Sequence, residues 1–272
     1  MNYLLSFRMQ KTGGAVVPGQ LLVGAGLGTL DDIALEPQLT FLVHGFNVNR
    51  PEGEAALLQL ADMLTSSRIG GRVAVLWPGD HWTGPLSYSF EGKDADDTAI
   101  ELTDWINDHA PEVGINFIAH SLGSRVVLET ISRLNGTNRT VPQVCLMAAA
   151  VDDDCLSDPA VYLQTGNKIG RLASLSSKKD YVLRFTYPAG DLLQAFLFAD
   201  DASGLALGYH GARKHQKSKT LVPDNLFDAR IPKARKAGHG DYLPDSQPNN
   251  EQQSAARFAD QVIDGVGTPA YV

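Results

Sequence analysis

Ser121 stands in the segment Ile115-Asn116-Phe117-Ile118-Ala119-His120-Ser121-Leu122-Gly123-Ser124-Arg125. An apolar β-type run ends at this serine. A helical pattern begins directly after it, with Val126, Val127, Thr130, Ile131 and Leu134 at three-and-four spacing. So sharp a turn strains its apex residue and leaves room only for small residues two positions to either side, and here they are Ala119 and Gly123. The apex presents a hydroxyl suited to attack on a carbonyl. Leu122 follows at the helix start, where unpaired N–H groups can receive a developing oxyanion. The hydroxyl is a weak nucleophile alone; it needs a base to take its proton and a carboxylate to hold that base in the right tautomer. The plainer use of such a serine is as a helix cap. Partners elsewhere in the chain decide between the two.

Two further motifs stand upstream. Phe41-Leu42-Val43-His44-Gly45-Phe46-Asn47 is a strand running into a glycine turn, and Leu76-Trp77-Pro78-Gly79 closes the next strand. With Ala119-His120-Ser121-Leu122-Gly123, these motifs make residues 38–265 resemble the α/β-hydrolase superfamily. The resemblance is nearest to a bacterial branch with a strand-His-Gly-Phe-Asn motif and a Trp-Pro motif. It implies that the Phe46 N–H is a second oxyanion donor beside Leu122, with His44 shaping that loop and His120 serving packing and hydrogen bonding. It also implies the chain order serine, acid, histidine. The histidines after Ser121 are His210, His215 and His239. His239 is the expected base, because it follows the last predicted strand, lies between Gly238 and Gly240, and precedes a long helix. Asp191, after the predicted penultimate strand, is the first candidate for the acid, although it could instead cap the helix through Leu192, Leu193 and Phe196. Asp152, Asp153 and Asp154, after the strand before, are the alternative.

These side chains must be held by an alternation of short β-rich runs and longer helical ones, which points to a largely parallel sheet covered by helices, and the resemblance implies that this sheet is an α/β-hydrolase fold. The expected sheet has about eight strands, mostly parallel, with helices on both faces. Strands are predicted at Thr40–Val43, Arg72–Trp77, Ile115–Ala119, Val141–Ala150, Tyr181–Tyr187 and Leu226–Ile231. Helices are predicted after Pro51, through Ala99 to Ile106, from Val126 to Leu134, and from Ala255 to Ile263. Residues 1–37 read as antiparallel edge strands with Gly-rich turns, and residues 155–179 as a small lid-like insertion. No repeat or domain boundary interrupts the chain, so 1–272 is expected to be a single domain.

Composition narrows the partners. The chain has 272 residues, 43% apolar and 20% charged, with a formal net charge of -8. That size and composition suit one soluble globular enzyme domain, and the negative charge disfavours nucleic acid. Cys145 and Cys155 form neither a disulfide framework nor a metal pattern and read as free thiols. No His, Asp or Glu cluster has metal spacing, and Gly24-Ala25-Gly26-Leu27-Gly28 lacks the third glycine and following helix of a dinucleotide loop. No cofactor or metal is therefore expected. With no apolar stretch near bilayer length and no basic leader, a cytoplasmic protein without an integral membrane segment is the default. The basic residues Arg213, Lys214, Lys217, Lys219, Lys233, Arg235 and Lys236 read as a solvated run, with attraction of an anionic substrate as the alternative.

The expectation is a serine hydrolase cleaving an ester-like bond, carboxylester or thioester, of a small-molecule or lipid-like substrate through an acyl-enzyme. Ser121, Asp191 and His239 would be the triad, with Phe46 and Leu122 holding the oxyanion. Lipase, phospholipase or acyltransferase chemistry would use the same residues. The reading from another class is a non-catalytic interaction module on the same scaffold.

Overall fold

The computed structural model describes residues 1–80, 88–134, 141–185, 205–215 and 222–272, with only the backbone of 88–91. Eight strands, β1 (Asn2–Arg8), β2 (Val16–Leu21), β3 (Gln38–Val43), β4 (Gly71–Leu76), β5 (Gly114–His120), β6 (Val141–Met147), β7 (Ile169–Ser176) and β8 (Leu226–Arg230), form one sheet in the order β2-β1-β4-β3-β5-β6-β7-β8. All neighbours pair in parallel except β1 and β2, which are antiparallel. This is the mostly parallel, helix-covered sheet that the alternating pattern implied, and the α/β-hydrolase fold that the resemblance implied.

Four longer helices cover the sheet on both faces: α1 (Arg50–Met63), α2 (Tyr88–His109), α3 (Gly123–Arg133) and α4 (Asn250–Asp264). α1 packs with α4, and α2 with α3. The helix ends are written in the sequence. Asn49 caps α1 by accepting the Glu52 N–H, and Pro51 lies in the first turn, where its missing N–H costs nothing. Asn249 caps α4 by accepting the Glu251 and Gln252 N–H groups, and Gly265 ends that helix at φ 72. Inside, Phe41 of β3 stacks on Phe117 of β5 at 5.4 Å and meets the edge of Trp105 from α2 at 6.2 Å. Because β3, β4, β5, β6 and β7 run the same way, the loops that follow them gather at one edge of the sheet, where ligands of open α/β sheets bind.

Three elements differ from the sequence reading. β1 is not an edge strand: Tyr3, Leu5 and Phe7 are fully buried and it pairs in parallel with β4, leaving only β2 as an antiparallel edge. β6 ends at Met147 rather than Ala150, because Ala148 adopts φ 47 and the chain turns back so that the Ala150 N–H reaches the Ser121 carbonyl. The strand expected at Tyr181–Tyr187 is absent from residues 181–185, which are helical, and the neighbour of β6 is Ile169–Ser176 within the stretch read as lid-like. The β-propensity of Tyr-Val-Leu-Arg-Phe-Thr-Tyr is outweighed by a locally stronger helix start. Asp180 accepts the Leu183 N–H at 2.9 Å and begins that helical turn. Among the described residues no helix is long and apolar enough to cross a membrane.

Candidate active site

The strand β5 delivers Ser121 to the sheet edge, and α3 starts two residues later. Ser121 has φ 54, the left-handed region that costs an ordinary residue about 1–2 kcal/mol. Three backbone bonds hold it there: its N–H donates to Met147 O at 3.0 Å, and its carbonyl accepts from Ser124 N at 3.0 Å and Ala150 N at 3.2 Å. A Cβ on Gly123 would stand 2.4 Å from His44 O, so only glycine lets the start of α3 lie against the loop after β3. Gly45 faces the serine from the other side, where a Cβ would be 2.7 Å from the Ser121 Cβ. The two glycine turns thus press the loop of Phe46 onto the elbow backbone to backbone. Neither the Phe46 N–H nor the Leu122 N–H has an acceptor among the described residues.

His239 comes from a short helical turn, His239–Asp241, just before α4. Its Nε2 lies 2.9 Å from Ser121 Oγ and its Nδ1 lies 2.7 Å from Asp180 Oδ2. A carboxylate at Nδ1 accepts the ring proton there, which leaves Nε2 as the acceptor for the serine hydroxyl. Asp180 is fully buried, its other oxygen taken by Leu183 N–H. Several contacts fix the histidine loop: Asp241 accepts the Gly238 N–H at 2.8 Å and the Asn249 amide at 2.9 Å, and Ser177 Oγ donates to Ala237 O at 2.7 Å. The last bond ties the loop carrying Asp180 to the loop carrying His239.

The other two histidines near the serine are structural. His120 faces His239 at 4.9 Å between ring centres, and its Nε2–H donates to the His239 carbonyl at 2.9 Å. Burial first, then the neighbouring His239, pushes its pKa down to about 3. His44 is likewise neutral at ordinary pH, its pKa lowered to about 4 chiefly by burial. Its Nε2 accepts the Trp77 N–H at 3.3 Å, its Nδ1–H donates to Gly45 O at 2.9 Å, and its carbonyl accepts Trp77 Nε1–H at 2.9 Å.

The carboxylate that reaches His239 is Asp180, where the sequence reading placed Asp191. Asp191 itself lies outside the described residues, as do Leu192, Leu193 and Phe196. Two of the alternative acids are engaged elsewhere: Asp153 pairs with Arg213 at 3.0 Å and with His210 at 2.9 Å, and Asp154 with Arg213 at 3.4 Å. The backbone of Asp152 forms a β-bridge with Ala206. His215 lies 3.5 Å from Asp158. Of the basic run, Arg213 is committed to these aspartates and Arg235 to Glu251 at 2.9 Å, while Lys217 and Lys219 lie outside the described residues. Both cysteines are buried, free thiols whose pKa is raised by that burial.

The sequence reading missed two residues. Asp180 hides behind a strand of small side chains, and the available signal is an aspartate directly before a helix. Arg8 at the end of β1 is a lone charge in an apolar run, and its buried guanidinium joins the loops after β1, β3 and β4.

A mostly parallel sheet in this strand order, with helices on both faces, is the fold of the α/β hydrolases. More narrowly, the chain belongs to the family described as alpha/beta hydrolase of unknown function (DUF900), whose model matches residues 34–188. That match spans Phe46, Ser121 and Asp180 and ends before His239. Among solved structures the chain is similar to the catalytic core domain of acetyl xylan esterase from Trichoderma reesei, with 11% identity and a TM-score of 0.44 over 84% of this chain and 96% of that one. It is also similar to an esterase from Pyrobaculum calidifontis, with 14% identity and a TM-score of 0.44 over 84% of this chain and 76% of that one. No curated protein matches the chain.

Proposed function

We propose that this protein is a serine hydrolase that cleaves an ester-like bond through an acyl-enzyme. Ser121 is the nucleophile, His239 the base, Asp180 the residue that orients and charge-balances the imidazole, and the Phe46 and Leu122 N–H groups the oxyanion donors. The observation that carries this reading is the hydrogen-bonded chain Ser121–His239–Asp180, at 2.9 and 2.7 Å, assembled from three separate loops. A helix-capping serine requires no such chain.

The chemistry follows from that chain. His239 Nε2 takes the hydroxyl proton as Ser121 Oγ bonds to the carbonyl carbon, and the carbonyl oxygen becomes an anion facing the two amides. Collapse of this intermediate breaks the bond to the leaving group, which departs with the proton from Nε2. Water then gives its proton to the same nitrogen, attacks the acyl-enzyme and releases the acid, and the proton returns to Ser121. Each amide donor is worth about 100- to 1000-fold in rate.

A fluorophosphonate probe tests the reading: the wild-type protein should be labelled at Ser121, and Ser121→Ala should not be labelled at all. A folded wild-type protein that resists labelling would sink the proposal in favour of a binding module. A panel of nitrophenyl esters of graded acyl length, run with a competing alcohol, then separates short-chain esterase, lipase-like and acyltransferase behaviour by chain-length optimum and by transfer product.

A further inference from the structure

The side chain of Arg8 is fully removed from solvent at the end of β1. Its guanidinium donates through Nε to Gln10 O at 3.0 Å and through Nη1 to Val48 O and Trp77 O, both at 3.2 Å. Through Nη2 it reaches Asp80 Oδ1 at 2.6 Å, Lys11 O at 3.1 Å and Gly13 O at 3.5 Å. One planar cation therefore fastens three loops, those after β1, β3 and β4. Asp80 Oδ1 also accepts the Gly13 N–H at 3.0 Å, and Asp80 Oδ2 is buried with no partner among the described residues.

The loop after β3 is the one that carries Phe46. Its start is held by the His44–Trp77 pair, stacked at 5.7 Å and bonded as described above. Just past Phe46, Asn47 sits at φ 56 and donates its N–H to Gly79 O at 2.5 Å, and Val48 O accepts from Arg8. Both anchors belong to the segment 77–80, and Arg8 grips that segment at Trp77 O and Asp80. A buried ion pair is poor value as a mere stabiliser, since apolar residues of similar volume commonly do as well. What an arginine fork supplies and an apolar side chain cannot is a fixed geometry among several acceptors.

We propose that Arg8, clamped by Asp80, is a positioning residue that sets the direction of the Phe46 N–H toward the oxyanion, an inference that rests on the hydrolase reading above. Arg8 touches neither substrate nor triad. Its effect falls on the transition state, in which the oxyanion is fully formed, and not on the binding of the neutral ester.

The test compares wild type with Arg8→Lys and Asp80→Asn. Lysine keeps the charge and loses the fork; asparagine keeps the shape of the carboxylate and loses its charge. Three quantities are read: the fraction of molecules labelled by a fluorophosphonate, the labelling rate per labelled site, and kcat and KM for nitrophenyl acetate. The expected result is full labelling stoichiometry, with the per-site labelling rate and kcat both about 100-fold lower, as for a misplacement near an ångström, and KM nearly unchanged. Reduced stoichiometry at a wild-type per-site rate would assign the pair to folding alone and overturn the proposal, as would failure of both variants to fold. Should only Arg8→Lys fail to fold, Asp80→Asn decides by the same two rates. If the wild type itself is not labelled, the hydrolase reading fails first and takes this inference with it; if it is labelled and both variants match its rates, this inference alone is lost.

Discussion

Replacing Asp180 by asparagine should nearly abolish turnover without unfolding the chain, and the geometry says why. The carboxylate accepts two bonds, one at each oxygen: Oδ2 from His239 Nδ1–H at 2.7 Å and Oδ1 from the buried Leu183 N–H at 2.9 Å. Asparagine has only one carbonyl oxygen to offer. If that oxygen stays with Leu183, the amide NH2 faces Nδ1, and the imidazole must move its proton to Nε2, where it can no longer take one from Ser121. If the oxygen turns to His239, the NH2 confronts the Leu183 N–H, and an unpaired buried donor costs about 1–3 kcal/mol. The first arrangement avoids that cost and keeps the helix cap, since asparagine caps as well as aspartate. The histidine is then locked in the wrong tautomer, a change worth about 10⁴-fold in kcat, or ~5.5 kcal/mol in activation free energy. Steady-state hydrolysis of nitrophenyl acetate by Asp180→Asn, beside a melting curve, gives the answer. The companion variant Asp191→Asn should keep wild-type turnover. An Asp180→Asn enzyme retaining a tenth or more of wild-type kcat would refute the assignment of the acid, and so would a large loss in Asp191→Asn.

Other outcomes follow from the same contacts. Gly45→Ala places a methyl 2.7 Å from the Ser121 Cβ, so kcat should fall about 100-fold; wild-type activity in that variant would show that the two loops are not in contact. His210→Ala and His215→Ala, whose imidazoles pair with Asp153 and Asp158, should leave fluorophosphonate labelling unchanged, and a lost label in either would move the base away from His239. Acid should destabilise the fold through His44 and His120, whose pKa values are lowered from 6.5 to about 4 and about 3. The unfolded chain takes up protons below about pH 6.5 that the folded chain refuses until far lower. Stability is therefore full above that pH and is lost as pH falls toward 4, by up to about 1.4 kcal/mol per pH unit for each imidazole. Urea midpoints at pH 7 and 4.5 measure this, and an identical pH slope in His120→Gln would show that residue 120 titrates normally.

Features set by neighbours along the chain could be read before any coordinates. The elbow around Ser121 is visible because strand, turn and helix follow each other within ten residues and the small positions Ala119 and Gly123 are forced by that turn. The same holds for the glycine turn at Gly45 and for the caps at Asn49 and Asn249. His239, which lies 2.9 Å from Ser121, stands out in the sequence because few histidines follow the serine and this one lies between glycines before a long helix. The carboxylate that meets His239, Asp180, is hidden in the sequence for a different reason. β7 reads Ile-Gly-Arg-Leu-Ala-Ser-Leu-Ser, with Ser174 and Ser176 buried, and nothing in its composition competes with the aromatic and β-branched run that follows. Yet β7 is an interior strand, paired with β6 and β8, and such a strand is chosen by the ladders on both sides and not by its own propensity alone. A strand read at Tyr181–Tyr187 in place of Ile169–Ser176 directs attention to Asp191 and past Asp180.

Arg8 marks the limit of such reading in a second way. A single arginine at the end of an apolar run has the same local signature whether it points to solvent or into the core, because the acceptors that join it to the other loops, Val48, Trp77 and Asp80, lie 40 to 72 positions away. Its meaning comes from the strand order. β1 lies beside β4 and β4 beside β3, so the ends of three strands distant in sequence meet within the reach of one guanidinium. In this sheet, whose strand order departs from chain order, a side chain at the end of one strand reaches the loops after its spatial neighbours. A pattern search confined to the motif loops passes over such a side chain, whereas the register of the sheet points to it directly.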